Sequence, residues 1–343
     1  MTLTAPTQFA APAQPVALAP TIAPHRAGSG STTVRAPGFS ATAPRELVHR
    51  AAISEVFVTD WESRGGDTYE LAAQWPRCHS FFTPPSSSHH MPSLVAETIR
   101  QSVFVLAHAE YGIPFGHAFV MNELSYRTSR AGIRVGSSPA DVQLLATCTE
   151  FTRKGRRVAG FRTEVTLLRD GRPFAAGSAS FTAVAPAVYR RLRGAQHRAA
   201  GQGPHLPAPV CPEYVGRSSA LDVVLAPTDR RDVWHVRADT SHPTMFDHPV
   251  DHVPGMVLLE AACQAAAAAS HPGTFHALRV HATFARYAEY DSPCVLTADH
   301  RPESGFATVT GTQAGQLVFT ATLGNDTTLD SYAAPDRHRR PRP

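Results

Sequence analysis

Two long apolar stretches dominate the hydrophobic pattern, and each carries a pair of polar residues on one side. They read MPSLVAETIRQSVFVLAHAEYG from Met91 and VPGMVLLEAACQAAAAASHPG from Val253. Each has a Glu four positions before a Gln, so both polar side chains lie on one stripe of an α-helix. A helix that is apolar on most sides is usually buried, and an unpaired buried carboxylate is costly. We therefore expect either a partner for each Glu or a chemical role.

The two stretches belong to an internal repeat. The same offset of 163 positions separates Glu97 from Glu260 and Gln101 from Gln264. Extended sequence precedes each helix, and three or four strand-like runs follow it, with RDGRP and QAGQ predicted as hairpin turns. The repeated unit is therefore a short strand region, a long buried helix and antiparallel strands. We predict it at residues 45–186 and again at 214–325.

The remaining segments lack such patterns. Residues 1–44 and 326–343 are predicted to be a disordered N-terminal arm and a disordered C-terminal tail, because no helix or strand period runs through so many breakers. Residues 187–213, rich in Arg, Gly, Pro and His, are predicted to link the two repeats.

A sheet that wraps one long apolar helix buries that helix on nearly every side, which is the layout of a hotdog fold. We predict an α+β protein with a tandem double hotdog fold. Two copies in one chain would mimic the dimer that such folds form, with sheets joined edge to edge and active sites at the junction. The expected assembly is a monomeric pseudo-dimer or a homodimer.

Composition excludes several classes of protein. The 343 residues are 43% hydrophobic and 17% charged, with a net charge of +4 from scattered basic residues. This predicts a globular protein and gives nucleic-acid binding little support. Five widely spaced cysteines argue against a disulfide framework and favour the cytoplasm. Neither a signal peptide nor an apolar run long enough to span a membrane is recognisable.

The second repeat contains FDHPVDHVPGMVLLEAACQA, which resembles the hotdog β-hydroxyacyl-carrier-protein dehydratases. The pattern of those enzymes is a His-x-Pro loop, Pro-Gly, and then Glu-Ala-x-x-Gln on the central helix. The matching residues are His248, Pro254, Gly255, Glu260 and Gln264. The loop between His248 and Pro254 is about two residues shorter than the dehydratase pattern.

The span 45–325 resembles the A-factor biosynthesis family more specifically. The resemblance rests on VHRAAISEVFVTD, AAQWPRCHSFF, LVAETIRQSVFVLAH, GIPFGHAFVMNEL and DTSHPTMFDHPVDHVPGMVLLEAACQAA. It implies transfer of a β-ketoacyl group from an acyl-carrier-protein thioester to the hydroxyl of dihydroxyacetone phosphate. The ester is a precursor of γ-butyrolactone signals, which act in quorum sensing and antibiotic production. The resemblance implies two partners, an acyl carrier protein with a β-ketoacyl thioester and dihydroxyacetone phosphate, and no cofactor.

Acyl transfer from a thioester needs a base and a stabilised oxyanion. We expect the base to be Glu260, Glu97 or both, with pKa values raised by apolar surroundings. His79 and His248 are further catalytic candidates, expected to line the site. The backbone at Gly255, in the first turn of its helix, is a candidate oxyanion donor. The candidates for substrate binding are Arg100, Gln101, Gln264 and Gly255, with Arg77 and Arg127 as further phosphate ligands. No metal site and no Ser or Cys nucleophile is required.

The sequence departs from the family at Cys263, where the second helix typically has Arg; Arg100 occupies the equivalent place in the first. Structural alternatives stay open. In these alternatives the Glu and Gln form only hydrogen-bonded pairs, and Arg100 only pairs with Glu97. His79 and His248 are then satisfied loop histidines, or a metal is bound by the run His242, Asp247, His248, Asp251 and His252. Functional alternatives are dehydration, thioester hydrolysis, or a non-catalytic regulatory protein that binds a ligand.

Overall fold

The computed structural model describes residues 36–85, 87–199 and 206–325. The predicted C-terminal tail lies outside these residues, as does most of the predicted N-terminal arm. The end of the arm is described and packs on the first strand: Ala43 is buried, and its N–H donates to the carbonyl of Val58 at 2.9 Å.

The two apolar stretches form buried helices, as the pattern predicts. Helix α1 spans Ser93–Val105 and continues into a π-helical turn, Leu106–Glu110. A shorter helix, α2, spans Pro186–Arg193 in the predicted linker. Helix α3 spans Gly255–Ser270 and begins directly after Pro254.

The strands of the described residues join in one 12-stranded antiparallel sheet. In the first repeat they are β1 (Val58–Gly65), β2 (Thr68–Trp75), β3 (Ala118–Thr128), β4 (Ala140–Lys154), β5 (Arg157–Arg169) and β6 (Arg172–Val184). In the second they are β7 (Leu225–Pro227), β8 (Val233–Val236), β9 (Arg279–Phe284), β10 (Cys294–Arg301), β11 (Phe306–Gln313) and β12 (Gln316–Gly324).

The strand order is that of two hotdog units joined edge to edge. It runs β1-β2-β4-β5-β6-β3 through the first repeat and β9-β12-β11-β10-β8-β7 through the second. Strands β3 and β9 form the junction, with Glu123 opposite Thr283 and Arg127 opposite Arg279. The tandem hotdog fold is therefore confirmed, and a single chain supplies both halves of the pseudo-dimer.

Both predicted hairpin turns are present. Asp170 and Gly171 join β5 to β6, and Ala314 and Gly315 join β11 to β12; all four have positive φ. Two consecutive residues of this kind give the backbone twist that two-residue hairpins favour.

Close contact between α1 and its sheet depends on a glycine. A Cβ atom added at Gly177 of β6 would lie 2.2 Å from the carbonyl oxygen of Ser125 and 2.7 Å from Cδ1 of Ile99. A side chain at this position would clash with the backbone of β3 and with Ile99 of α1.

The segment predicted as a linker also packs against the second repeat. Arg193, at the end of α2, is buried and lies 3.2 Å from the carboxylate of Asp251. It also donates from Nη2 to Oε2 of Glu289 at 2.7 Å. The segment at α2 is therefore fixed beside the start of α3.

Candidate active site

A cavity of about 1340 Å³ lies where the two repeats meet. It exceeds the roughly 300–1,000 Å³ of ordinary ligand pockets. Apolar side chains from both repeats line it, including Phe104, Phe119, Met121, Met256, Leu258 and Phe284. Ionisable side chains line it too, including His49, Arg50, Glu97, Arg100, Asp247 and His248. The cavity can therefore hold an apolar chain together with a charged group.

The carboxylate of Glu97 is completely buried and is held by two arginines and a glutamine. Arg100 donates from Nε to Oε2 at 2.8 Å and from Nη2 to Oε1 at 2.7 Å. Arg50 Nη2 lies 2.8 Å from Oε1, and Gln101 Nε2 donates to the same oxygen at 2.8 Å. We call these four residues the Glu97 cluster. With two guanidinium groups and one carboxylate, it has a net positive charge.

The protonation state of Glu97 differs from the prediction. Burial alone would raise the pKa of this carboxyl, but the charges of Arg100 and Arg50 and the hydrogen bonds from Arg100 and Gln101 lower the pKa to about 2. The predicted raised pKa is therefore wrong for Glu97, because the sequence reasoning left out the second arginine. An ionised carboxylate that already accepts these hydrogen bonds is poorly suited to act as a base.

Arg50 joins the two repeats at this site. It follows the 3-10 helical turn Arg45–Val48, and its Nη1 donates to the carbonyl of Thr244 in the second repeat at 2.9 Å. Asp247 of the second repeat accepts hydrogen bonds from the N–H groups of Ala51 and Ala52 at 2.5 and 3.1 Å. The loop that carries Arg50 is thus positioned by the other repeat.

Gln101 and Gln264 brace the fold and are absent from the described residues that line the cavity. Gln101 accepts from the N–H of Phe57 at 2.8 Å and donates to the carbonyl of Glu55 at 2.7 Å. Gln264 accepts from the N–H of Val224 at 3.0 Å and donates to the carbonyl of Asp222 at 2.7 Å. Each glutamine ties its helix to the segment before the first strands of its repeat.

The second repeat contains a similar set of contacts around Glu260. Arg217 Nη2 lies 2.6 Å from Oε1 of Glu260, and Gln264 Nε2 donates to that oxygen at 2.7 Å. Arg217 Nη1 donates to the carbonyl of Phe81 in the first repeat at 3.1 Å, and its guanidinium lies 4.1 Å from the centre of the Phe81 ring. We call Glu260, Arg217 and Gln264 the Glu260 cluster.

In the described part of the chain, the Glu260 cluster has no access to the cavity. Glu260 is absent from the described residues that line the cavity, and Arg217 and Phe81 are buried over it. Cys263 occupies the position of Arg100, and burial, followed by the charge of Glu260, raises the pKa of its thiol. The expectation that Glu260 acts as a base in the cavity therefore needs correction, because the arginine and the ring of Phe81 fill the space beside its carboxylate.

His79 holds a loop in shape and is not among the described cavity residues. Its Nδ1 accepts from the N–H groups of Phe81 and Phe82, each at 3.1 Å, and its Nε2 lies 3.2 Å from Oε1 of Glu55. Both ring nitrogens are occupied, so the structure does not bring His79 to the site. His242 makes the corresponding contacts in the second repeat, with Thr244, Met245 and Asp222.

Three predicted site residues do reach the cavity beside Glu97: Arg100, His248 and Gly255. The side chain of His248 is 47% exposed, and its Nδ1 lies 3.4 Å from Oδ2 of Asp247. Gly255 is the first residue of α3. Within the described part of the chain, the N–H groups of Gly255 and Met256 have no hydrogen-bond acceptor. Arg77 and Arg127 are absent from the described cavity lining.

Sequence reasoning missed His49, Arg50 and Arg217. A signal for them exists, because VHRAAISEV at Val48 and VGRSSALDV at Val215 align at an offset of 167 positions. Extending the internal repeat to the segments before the strands would have paired the two arginines. It would also have shown that His49 corresponds to a glycine, Gly216.

Metal-binding groups and membrane-spanning helices are both missing from the described ranges. No group of three or more His, Cys, Asp or Glu side chains there could hold a metal ion. No helix formed by these residues is long and apolar enough to cross a membrane.

The sequence and fold are similar to known proteins. The family model described as the A-factor biosynthesis hotdog domain matches residues 31–185 and 199–328. A 2-oxo-3-(phosphooxy)propyl 3-oxoalkanoate synthase of Streptomyces virginiae is 47% identical, over 83% of this chain and 98% of that protein. One of the same name from Streptomyces coelicolor is 39% identical, over 82% of this chain and 90% of that protein.

Among solved structures, an acyl-ACP thioesterase from Bacteroides thetaiotaomicron is similar with a TM-score of 0.47 and 11% identity, over 74% of this chain and 97% of that chain. The two matched ranges of the family model correspond to the two hotdog repeats. The chain belongs to the A-factor biosynthesis hotdog family.

Proposed function

We propose that this chain is an acyltransferase that moves a 3-oxoacyl group from a thioester to the hydroxyl of dihydroxyacetone phosphate. The name of its relatives describes an ester of a 3-oxoalkanoate with a 2-oxo-3-(phosphooxy)propyl alcohol, and that alcohol is dihydroxyacetone phosphate. The observation that carries the proposal is the cavity in which apolar walls and the positively charged Glu97 cluster occur together. The product would be a precursor of a γ-butyrolactone signal.

The Glu97 cluster suits the phosphate of the acceptor. Arg100 and Arg50 line the cavity, and together with Glu97 they have a net positive charge. Arg100 uses Nε and Nη2 for Glu97, while Nη1 has no acceptor among the described residues. Arginine donors of this kind form strong, directed hydrogen bonds to phosphate oxygens. We propose that Glu97 orients the arginines and takes no proton.

The acyl chain would lie against the apolar walls. Phe104 and Phe119 come from the first repeat, while Leu258 and Phe284 come from the second. Burial of methylene groups against such side chains contributes about 0.8 kcal/mol each. The donor would be the thioester of an acyl carrier protein, which delivers its chain to the cavity from solvent.

The start of α3 could stabilise the oxyanion. The N–H groups of Gly255 and Met256 lack acceptors within the described chain, and both residues line the cavity. A helix N-terminus favours negative charge. In the reaction the acceptor oxygen attacks the thioester carbonyl carbon, the C–S bond breaks, and the hydroxyl proton ends on the thiol that leaves.

The product of the purified protein tests this function. We expect the protein, a 3-oxoacyl carrier protein and dihydroxyacetone phosphate to give an ester whose mass contains both fragments. Dihydroxyacetone without the phosphate is the control, and it should react poorly. Free 3-oxo acid formed at the same rate without acceptor would indicate a thioesterase. An unsaturated product from a 3-hydroxyacyl donor would indicate a dehydratase, and acyl binding without turnover would indicate a regulatory protein.

One chain should suffice for this activity, because β3 and β9 already join the repeats as two subunits would be joined. The molar mass of the active species, measured by light scattering during chromatography, distinguishes a monomeric pseudo-dimer from a homodimer. A cytoplasmic location stays a prediction.

A further inference from the structure

We propose that His49 is the general base of this transfer: its Nδ1 atom removes the proton of the acceptor hydroxyl, and His108 holds its ring in the tautomer required. The inference rests on the proposed function and adds the catalytic group that the Glu97 cluster does not provide.

The backbone of His49 has a conformation that glycine adopts more easily than histidine. His49 follows the turn Arg45–Val48 and has φ 55° and ψ 50°, in the left-handed region. Gly216 follows the corresponding turn Pro212–Val215 of the second repeat, with φ 68° and ψ 28°. Glycine adopts this conformation without strain, whereas histidine adopts it less often and at a cost in free energy. The first repeat thus has a strained histidine where the fold itself requires only a glycine, and strain of this kind is concentrated at functional sites.

A chain of hydrogen bonds fixes the tautomer of His49. His108 Nδ1 lies 2.6 Å from the carbonyl oxygen of Ile113, which can only accept, so this nitrogen bears the proton. His108 Nε2 is then an acceptor, and it lies 2.7 Å from Nε2 of His49. His49 must donate from Nε2, which leaves the lone pair on Nδ1. Nδ1 of His49 has no hydrogen-bond partner among the described residues.

The packing around the two rings keeps this arrangement in place. His108 belongs to the π-helical turn Leu106–Glu110, and such turns are frequent at functional sites. The His49 ring stacks on Phe104 at 4.5 Å and meets Phe119 edge-on at 5.0 Å. Burial, together with the charges of His108, Arg100 and His248, lowers the pKa of His49 to about 3. His49 is therefore neutral at physiological pH, and it is a weak base until a bound phosphate offsets Arg100.

His49 also lies beside the proposed phosphate site. Arg50, its neighbour in the chain, pairs with Glu97, and Val48 on its other side accepts a hydrogen bond from Arg100 Nη2 at 3.3 Å. The guanidinium of Arg100 lies 4.8 Å from the centre of the Phe104 ring on which His49 stacks. A phosphate bound at Arg100 would bring the acceptor hydroxyl towards His49. Its negative charge would also offset Arg100, which raises the basicity of His49 when the acceptor is present.

In the proposed step, Nδ1 of His49 takes the hydroxyl proton while the acceptor oxygen bonds to the thioester carbonyl carbon. The C–S bond then breaks, and the imidazolium gives the same proton to the thiolate. The histidine ends neutral, and neither oxidant nor reductant is needed.

The sharpest test replaces His49 with the residue of the second repeat. His49→Gly removes the backbone strain but also the contacts of the ring with Phe104, Phe119 and His108, so thermal unfolding of the variant is measured first to show that it folds. Its kcat should fall about a hundred- to ten-thousand-fold, while the KM for dihydroxyacetone phosphate changes little. Added imidazole should restore kcat with saturation, and a series of substituted imidazoles should show rates that rise with their pKa. A structural role would give no such rescue.

Two further variants complete the experiment. In His49→Asn the new residue tolerates the left-handed backbone but supplies no base, so its kcat should be as low as that of His49→Gly. Added imidazole should not restore this kcat, because the Asn side chain fills part of the space that the imidazole would occupy. His271 corresponds to His108 in the second repeat. His271→Gly should keep the wild-type kcat, and added imidazole should not change that kcat.

The possible failures are distinct. One failure is that the wild type makes the ester while His49→Gly keeps the wild-type kcat, or has a low kcat that imidazole does not restore. The base assignment is then wrong, and the proposed function stands. If the wild type makes no ester, the proposed function is wrong and the base assignment falls with it. Nitrogen-15 spectra that place a proton on Nδ1 of neutral His49 would also overturn the inference.

Discussion

The Glu97 cluster and the Glu260 cluster are built in the same way but differ in what surrounds them. In each, a helix carboxylate pairs with a glutamine four residues later and with a loop arginine that donates to a carbonyl of the other repeat. Only Glu97 has a second arginine and lines the cavity.

The difference indicates how the two repeats have divided their tasks. A carboxylate held by one arginine and a glutamine is enough to fix the helix to its neighbours, as Glu260 shows. Glu97 makes the same contacts and adds Arg100, which contributes a positive charge to the cavity. The shared contacts are enough to hold each helix in place, and Arg100, which only the first repeat has at this position, is what the proposed phosphate site adds.

The largest expected effect comes from breaking the Glu260 cluster. Arg217→Met should lower the free energy of unfolding by about 3–5 kcal/mol, because it leaves Glu260 as a buried charge without its cation. Arg50→Met should lower the free energy of unfolding by less, about 1.5–3 kcal/mol, because Arg100 still neutralises Glu97. Urea unfolding of both variants measures the difference. Equal losses would mean that the two clusters contribute equally to stability.

The next effect is the pH dependence that Glu97 gives to folding. Its pKa is about 2 in the folded protein, against an ordinary value of 4.5, so the stabilisation is present above pH 4.5 and is lost as the pH falls towards 2. A shift of this size corresponds to about 3 kcal/mol. The free energy of unfolding of the wild type should therefore fall across this window.

Glu97→Gln is the matched variant for that measurement, because it removes the titrating group and keeps the shape. Its unfolding free energy should be lower than that of the wild type at pH 7 and should vary less between pH 4.5 and 2. Parallel curves for the two proteins would contradict the lowered pKa.

The sequence alone could predict the helices, the hairpins and the tandem fold, because each depends on local periodicity and turn chemistry. It could also place Glu97 and Glu260 on buried helix faces. It could not show which of them meets a cavity, since that depends on Phe81, which comes from a loop of the opposite repeat and covers Arg217. The pKa predicted for Glu97 was wrong for the same reason, because it depends on Arg50, which is 47 residues away in the chain.

A third prediction concerns acceptor binding. Arg100→Cys copies the second repeat into the first and should raise the KM for dihydroxyacetone phosphate about ten- to a hundredfold, which corresponds to about 1.4–2.8 kcal/mol. The weak reaction with dihydroxyacetone, which has no phosphate, should change little. An equal effect on both acceptors would show that Arg100 supports the fold of the site and does not bind the phosphate.

The smallest effect is expected at the position that corresponds to Arg100 in the second repeat. Cys263→Ala removes the thiol of a partly exposed cysteine, and this thiol holds no charge at neutral pH, because desolvation and Glu260 raise its pKa. Alanine is the better helix former, so the free energy of unfolding should change by less than about 1 kcal/mol. The KM for the acceptor should equal that of the wild type. A tenfold rise in KM would place part of the acceptor site at the Glu260 cluster and end the division of tasks between the two repeats.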